Sequence, residues 1–131
     1  MKARTHRGVM ALIAITFVML VSAIGASADN YGTNGTERAR MTTLIYKTFG
    51  TGWQGRTMLC IAKRESGLNP RAANYHDSNG GSYGLLQLNG VHRWGGESLA
   101  QFQRRMWNPV THLQAAKRLA RGGLGPWGGG C

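Results

Sequence analysis

Acidic residues are scarce in this chain: Asp29, Glu37, Glu65, Asp77 and Glu97 are all it has, against 16 Lys and Arg. Cysteine is scarcer, with only Cys60 and Cys131. Their spacing fits neither a CxxC redox motif nor a zinc site, and no two histidines stand at metal-ligand spacing. No metal or cofactor is expected. The sequence has no G-x-S-x-G, no P-loop and no dinucleotide fingerprint, and Gly80-Gly81-Ser82-Tyr83-Gly84 is too generic to count as a phosphate loop. No internal repeat is present, and 131 residues suffice for one domain but not two, since a core that folds alone usually needs about 100.

The only long apolar run is Val9 to Ala23, shorter than the roughly 20 residues of a spanning helix. Lys2, Arg4 and Arg7 precede it, and Ala26-Ser27-Ala28 follows it as a small-x-small processing site. This is the plan of a secretory signal peptide over residues 1–28. The competing reading is an uncleaved membrane anchor. The leader removes three cations and no acid, leaving 13 Lys and Arg against five acids, a formal +8. Such a surface attracts an acidic partner; export favours anionic cell-wall polymers over nucleic acid. With 42% hydrophobic residues and no charged tract, the remainder reads as a globular domain, expected to be a monomer. In an oxidising compartment the two thiols are expected to pair, closing a long loop.

Residues 29–35 read as a loose lead-in to a domain over 36–131. Thr36 is placed as the N-cap of a helix from Glu37 to Phe49, with Met41, Leu44, Ile45, Thr48 and Phe49 on one stripe and Gly50 as its stop. A second helix runs from Arg56 to Ser66, turning Met58, Leu59, Ile61 and Ala62 inward, and ends at Gly67. Asn69 to Gly81 is polar and reads as loop. Ser82 to Asn89 reads as a brief strand or a buried turn-and-strand segment, and Glu97 to Met106 as a short helix. The last helix has Asn108 as N-cap, Pro109 in its first turn, and Val110, Leu113, Ala116 and Leu119 or Ala120 as its apolar stripe.

Taken one at a time, most acids have ordinary explanations. Glu37 and Glu97 start helices, where the dipole favours an acid, and Asp77 reads as a loop-capping residue beside Ser78 and Asn79. Glu65 stands in the last turn of its helix, where a carboxylate is disfavoured, with Ile61 and Ala62 one turn earlier. Apolar surroundings at a helix C-terminus favour the protonated form, as a proton donor at neutral pH requires. Lys63 and Arg64 oppose this, but are expected to project from other sides of the helix. The competing reading makes Glu65 the salt-bridge partner of a neighbouring arginine. Trp53, Tyr75, Tyr83, Trp94, Trp107 and Trp127 supply aromatic faces, and Ser66, Asn74, Gln87 and Asn89 supply polar groups, a mixture suited to sugar rings.

Cys60-Ile-Ala-Lys-Arg-Glu65-Ser66-Gly-Leu-Asn-Pro70, followed by Gly81-Ser-Tyr-Gly-Leu-Leu-Gln87-Leu-Asn89, resembles the lytic transglycosylases of the soluble-lytic-transglycosylase type, within the goose-type lysozyme superfamily. The Asn108-Pro109 helix opening is similar as well. The family's Ala-Tyr-Asn motif is missing; Gly125-Pro126-Trp127 stands near its place. The resemblance implies a mainly α, lysozyme-like α+β fold: a small helical domain with a short hairpin or strand segment lining a glycan cleft. It implies Glu65 as catalytic acid and base, with Ser66, Tyr83 and Gln87 as cleft residues; Asn89 and Trp127 are placed beside them as further substrate-binding candidates from their residue types. The implied reaction is cleavage of the bond between N-acetylmuramic acid and N-acetylglucosamine in peptidoglycan, giving a 1,6-anhydro end without water. Two other readings remain open at this point. Asp77 reaching the cleft as a second carboxylate would make the enzyme a hydrolysing muramidase. A non-catalytic cationic wall-binding or antimicrobial protein would act through charge alone.

Overall fold

The computed structural model describes residues 35–129 and residue 131, so the expected leader and most of the lead-in lie outside the described residues. Four helices carry the domain: α1, Gly35–Phe49; α2, Trp53–Ser66; α3, Leu99–Met106; and α4, Pro109–Ala120. Between α2 and α3 lies a three-stranded antiparallel sheet of two-residue strands: β1, Ala73–Asn74; β2, Ser82–Tyr83; and β3, Leu88–Asn89, in that order. Ala73 pairs with Tyr83, and Tyr83 with Leu88. The chain is mainly α with a small sheet and one disulfide, as the sequence implied.

Three boundaries differ from the sequence reading. Helix α1 already includes Gly35 and Thr36, so Gly35 is not lead-in and Thr36 is not the cap; Glu37 sits in the first turn, paired with Arg40 at 3.3 Å. Helix α2 starts three residues early, at Trp53, because the Gly50-Thr51-Gly52 link is tight. Gly50, at φ +82°, closes α1 by donating to the Tyr46 carbonyl, and a Cβ on Gly55 would overlap the Gly50 carbonyl. Glu97 lies before α3 rather than inside it. Ser98 caps that helix through the Gln101 N–H, and the Gln101 side chain returns the bond to the Ser98 N–H. The expected loop over Asn69 to Gly81 also contains β1, a strand too short to show an alternating pattern.

The core takes Met41, Ile45 and Phe49 from α1, Met58, Ile61 and Ala62 from α2, Phe102 and Met106 from α3, and Leu113 and Ala116 from α4. Leu85 and Leu86, in the turn joining β2 to β3, are fully buried among them. The apolar Ser82–Asn89 segment is therefore a hairpin driven tip-first into the helices. Asn108 caps α4 by accepting the Val110 and Thr111 N–H groups, both at 3.1 Å. Val110 is exposed, contrary to the stripe drawn for it, and His112 takes a buried place on that helix instead.

Candidate active site

Helix α2 ends abruptly. Gly67, at φ +61°, donates to the Lys63 carbonyl, and Leu68 reaches back to Ala62 at 3.3 Å. Leu68 is itself left-handed at φ +65° and is buried, a conformation costing a branched side chain about 1–2 kcal/mol. This stop leaves Glu65 in the last turn of α2, its side chain 29% exposed, next to Ser66, which bonds the hairpin.

Arg64 overturns part of the sequence expectation, because it lies along Glu65 rather than projecting away. Its Nε and Nη2 donate to Glu65 Oε1 at 3.1 and 2.9 Å, and Nη2 also donates to the Trp127 carbonyl at 2.7 Å. That carbonyl belongs to the C-terminal tail, a partner helical spacing cannot reveal. Both Arg64 bonds go to one carboxylate oxygen. Oε2 accepts none.

The β2–β3 turn, Gly84 to Gln87, is pinned against this helix end from three sides. Ser66 Oγ lies 2.8 Å from the Leu85 carbonyl and 2.9 Å from that of Ala62, sharing one proton between them. Trp127 Nε1 donates to the Leu86 carbonyl at 2.8 Å. His112 Nε2 accepts the Leu86 N–H at 2.9 Å. Gln87, at φ +47°, donates its Nε2 to the Gly84 carbonyl at 2.9 Å, and no described residue donates to its Oε1. The tail is anchored in turn by the Cys60–Cys131 disulfide, whose Cα atoms are 5.9 Å apart.

The structure thus gathers Glu65, Ser66, Gln87 and Trp127 around one turn, but not all of them face outward. Trp127 is buried, and its indole N–H is committed to the Leu86 carbonyl of the turn. Tyr83 is likewise buried: its hydroxyl donates to the Gly80 carbonyl at 2.7 Å, and burial raises its pKa. Asn89 caps the next turn through the Val91 N–H and donates to the Ser78 carbonyl, which fixes the sheet. The polar groups of all three bond within the protein. Among the described residues, Trp53, Tyr75 and Trp94 are the exposed rings.

Sequence reasoning missed His112. Its Nε2 accepts a hydrogen bond, so the neutral ring carries its proton on Nδ1, which is buried without a partner. The missed signal was its place one turn before Ala116, on the buried face of α4. Burial lowers its pKa from 6.5 to about 3. Between those values the unfolded chain binds a proton that the folded chain refuses. The stabilisation is complete above pH 6.5 and declines as pH falls, by about 1.4 kcal/mol per unit. We expect His112→Gln, which keeps an acceptor but does not titrate, to flatten the stability loss between pH 7 and 5 in urea unfolding. Equal losses in both proteins would assign the proton elsewhere.

Gly84 is tied to the same contact. At φ +78°, a Cβ there would stand 2.6 Å from both His112 Nδ1 and the Met106 carbonyl. Gly84→Ala combines left-handed strain with overpacking and is expected to cost about 3 kcal/mol. A urea midpoint within about 0.5 kcal/mol of the parent would show that the turn can yield.

Among the described residues, no three His, Cys, Asp or Glu side chains are grouped to hold a metal ion, and no helix is long and apolar enough to cross a membrane. No curated protein and no solved structure matches the chain. Residues 45–122, from the end of α1 through α4, match the family described as Transglycosylase SLT domain. The match takes in both the Glu65 helix end and the pinned turn, and it covers more than half of the sequence: the chain belongs to the SLT-domain family of lytic transglycosylases, enzymes that cleave peptidoglycan.

Proposed function

We propose that Glu65 is the single acid and base of a non-hydrolytic peptidoglycan cleavage. The observation that carries this reading is the carboxylate's position: the last turn of α2, beside a turn held from three sides, with Oε1 fixed by Arg64 and Oε2 unpaired. The other described acids are engaged. Glu37 pairs with Arg40, Glu97 with Arg105, and Asp77 accepts the Asn74 amide at 2.8 Å in an exposed loop.

Glu65, protonated on Oε2, gives its proton to the oxygen linking N-acetylmuramic acid to N-acetylglucosamine, and the bond from that oxygen to the muramic C1 breaks. The muramic N-acetyl group or the cleft stabilises the cationic C1. The sugar's own C6 hydroxyl then closes on C1 and returns its proton to Glu65, while Arg64 steadies the carboxylate through Oε1. Ser66 holds the turn that presents Gln87, whose free oxygen faces the glycan. Tyr83, Asn89 and Trp127 keep that turn and sheet in place. No water enters, and Glu65 ends as it began.

In this reading residues 1–28 are removed at export, and the domain works outside the cytoplasm, where its disulfide persists and its positive surface holds it on anionic wall polymers. Mass spectrometry of muropeptides released from sacculi tests the reaction. Anhydromuramic ends are expected; reducing ends would overturn it in favour of a hydrolase.

A further inference from the structure

Away from Glu65, Trp94 is 60% exposed, yet it is held more firmly than an exposed ring needs to be. Arg105 lies over one face, its guanidinium carbon 3.9 Å from the ring centre. Arg105 is itself fixed by two 2.7 Å bonds to Glu97, and the side chains of this pair are only 11% and 9% exposed. The Glu97 carboxylate also accepts the Trp94 backbone N–H at 3.0 Å. The hydrogen bonds from Arg105 hold the Glu97 carboxyl below its ordinary pKa, so the pair stays charged. Arg105 also lies 5.3 Å from the ring of Phe102, which is fully buried, so the assembly is rooted in the core.

A buried ion pair roughly breaks even against apolar residues of the same volume. Its product here is orientation: one face of an indole is backed and the ring stands toward solvent. Three clefts adjoin it: one of about 190 Å³ among Leu88, Phe102, Met106 and Leu119, and two that also include Gly96 and Glu97. Of these two, one, of about 380 Å³, is bordered by Asn79, Val91 and Arg93; the other, of about 340 Å³, by Gly95, Gly96 and Gln101. Gly96 is left-handed, and a Cβ on either glycine would meet nothing within 4 Å, so the approach to the ring is open. An apolar face rimmed by amide and guanidinium donors suits a pyranose ring better than the greasy side of a partner helix.

We propose that Trp94 is a preformed stacking platform for an N-acetylhexosamine ring of the glycan strand, with Glu97 and Arg105 as the positioning residues that hold it. The two clefts beside Gly96 are lined by the segment after β3, by the Asn79 turn and by α3, and by neither Glu65 nor the Gly84–Gln87 turn. Trp94 is therefore a second contact along the polymer. A ring already fixed loses little freedom on binding, which is what the ion pair contributes. This inference rests on the reading of peptidoglycan as substrate.

The test uses Glu65→Gln protein labelled with 5-fluorotryptophan, the Trp94 fluorine resonance being assigned by Trp94→Phe. Titration with the N-acetylglucosamine tetramer is expected to shift that resonance saturably, and Arg105→Met to weaken the dissociation constant at least five-fold. In the otherwise native enzyme, Trp94→Ala is expected to raise KM on sacculi about ten-fold, with the loss falling on KM rather than kcat. Removing an exposed ring spares the core, so this arm survives if Arg105→Met fails to fold. A Trp94 signal unmoved by millimolar tetramer, or moved only by free stem peptide or by raising the protein concentration, overturns the platform. Cutting of sacculi by the Glu65→Gln protein would overturn the Glu65 assignment instead, and leaves the binding result to be read on its own.

Discussion

Glu65→Gln is expected to lower the rate of peptidoglycan cleavage by about a thousand-fold or more while leaving the melting temperature nearly unchanged. Glutamine keeps the shape and still offers Arg64 an oxygen, but it can neither deliver a proton to the glycosidic oxygen nor take one from the C6 hydroxyl. General acid–base catalysis contributes about 10²- to 10⁴-fold per step, and in the proposed mechanism one group serves both halves of the reaction. Stability should scarcely respond. The ion pair being removed is partly exposed on both sides, and such pairs contribute about 0–1 kcal/mol. Turbidity clearing of sacculi, muropeptide release and a thermal melt on the same preparation together decide the matter. More than a tenth of the native rate would place the acid on another residue. Wall clearing that continued with no muropeptide release would point to the charge-driven, non-catalytic alternative.

The helices were legible because their signals are local: an Asn108-Pro109 start, a Gly67 stop, and stripes such as Met41, Ile45 and Phe49. Glu65 drew notice for a related reason, since a carboxylate at the wrong end of a helix violates a local preference and asks for an explanation. Tyr83, Asn89 and Trp127 lay beyond such reading. Residue type suits them to a sugar cleft, but only the fold decides that the phenol hydroxyl goes to Gly80, the amide to Ser78 and the indole to Leu86. Arg64 is the sharpest case. From the helix alone it points away from Glu65; with Trp127 in place it is drawn across the carboxylate. His112 and Trp94 differ again, because each takes its meaning from contacts many residues away: a buried amide on the hairpin in one case, a charged pair spanning a loop and α3 in the other.

Removing the disulfide as Cys60→Ser with Cys131→Ser should cost about 4 kcal/mol, a large share of what a domain of this size possesses. The bond closes a loop between residues 71 apart, long enough for chain entropy to weigh heavily in the unfolded state. Its consequence for catalysis is separate and follows from where the tail sits. Trp127 lies beyond the family match at residues 45–122, yet its indole holds the Leu86 carbonyl and its own carbonyl holds Arg64, which in turn grips Glu65. Freed at Cys131, the tail keeps Trp127 in place only by packing and these hydrogen bonds. The double variant should therefore lose activity at temperatures where circular dichroism still reports native helix. Trp127→Phe separates the two effects. It retains the disulfide but leaves a buried carbonyl without its donor, a loss of about 1–3 kcal/mol, and it should reproduce the fall in activity. Urea midpoints of the native protein with and without reductant measure the entropic part, and a change below about 1 kcal/mol would remove the disulfide from the account of stability. Full activity in Trp127→Phe would show that Arg64 and the turn stand without the indole bond.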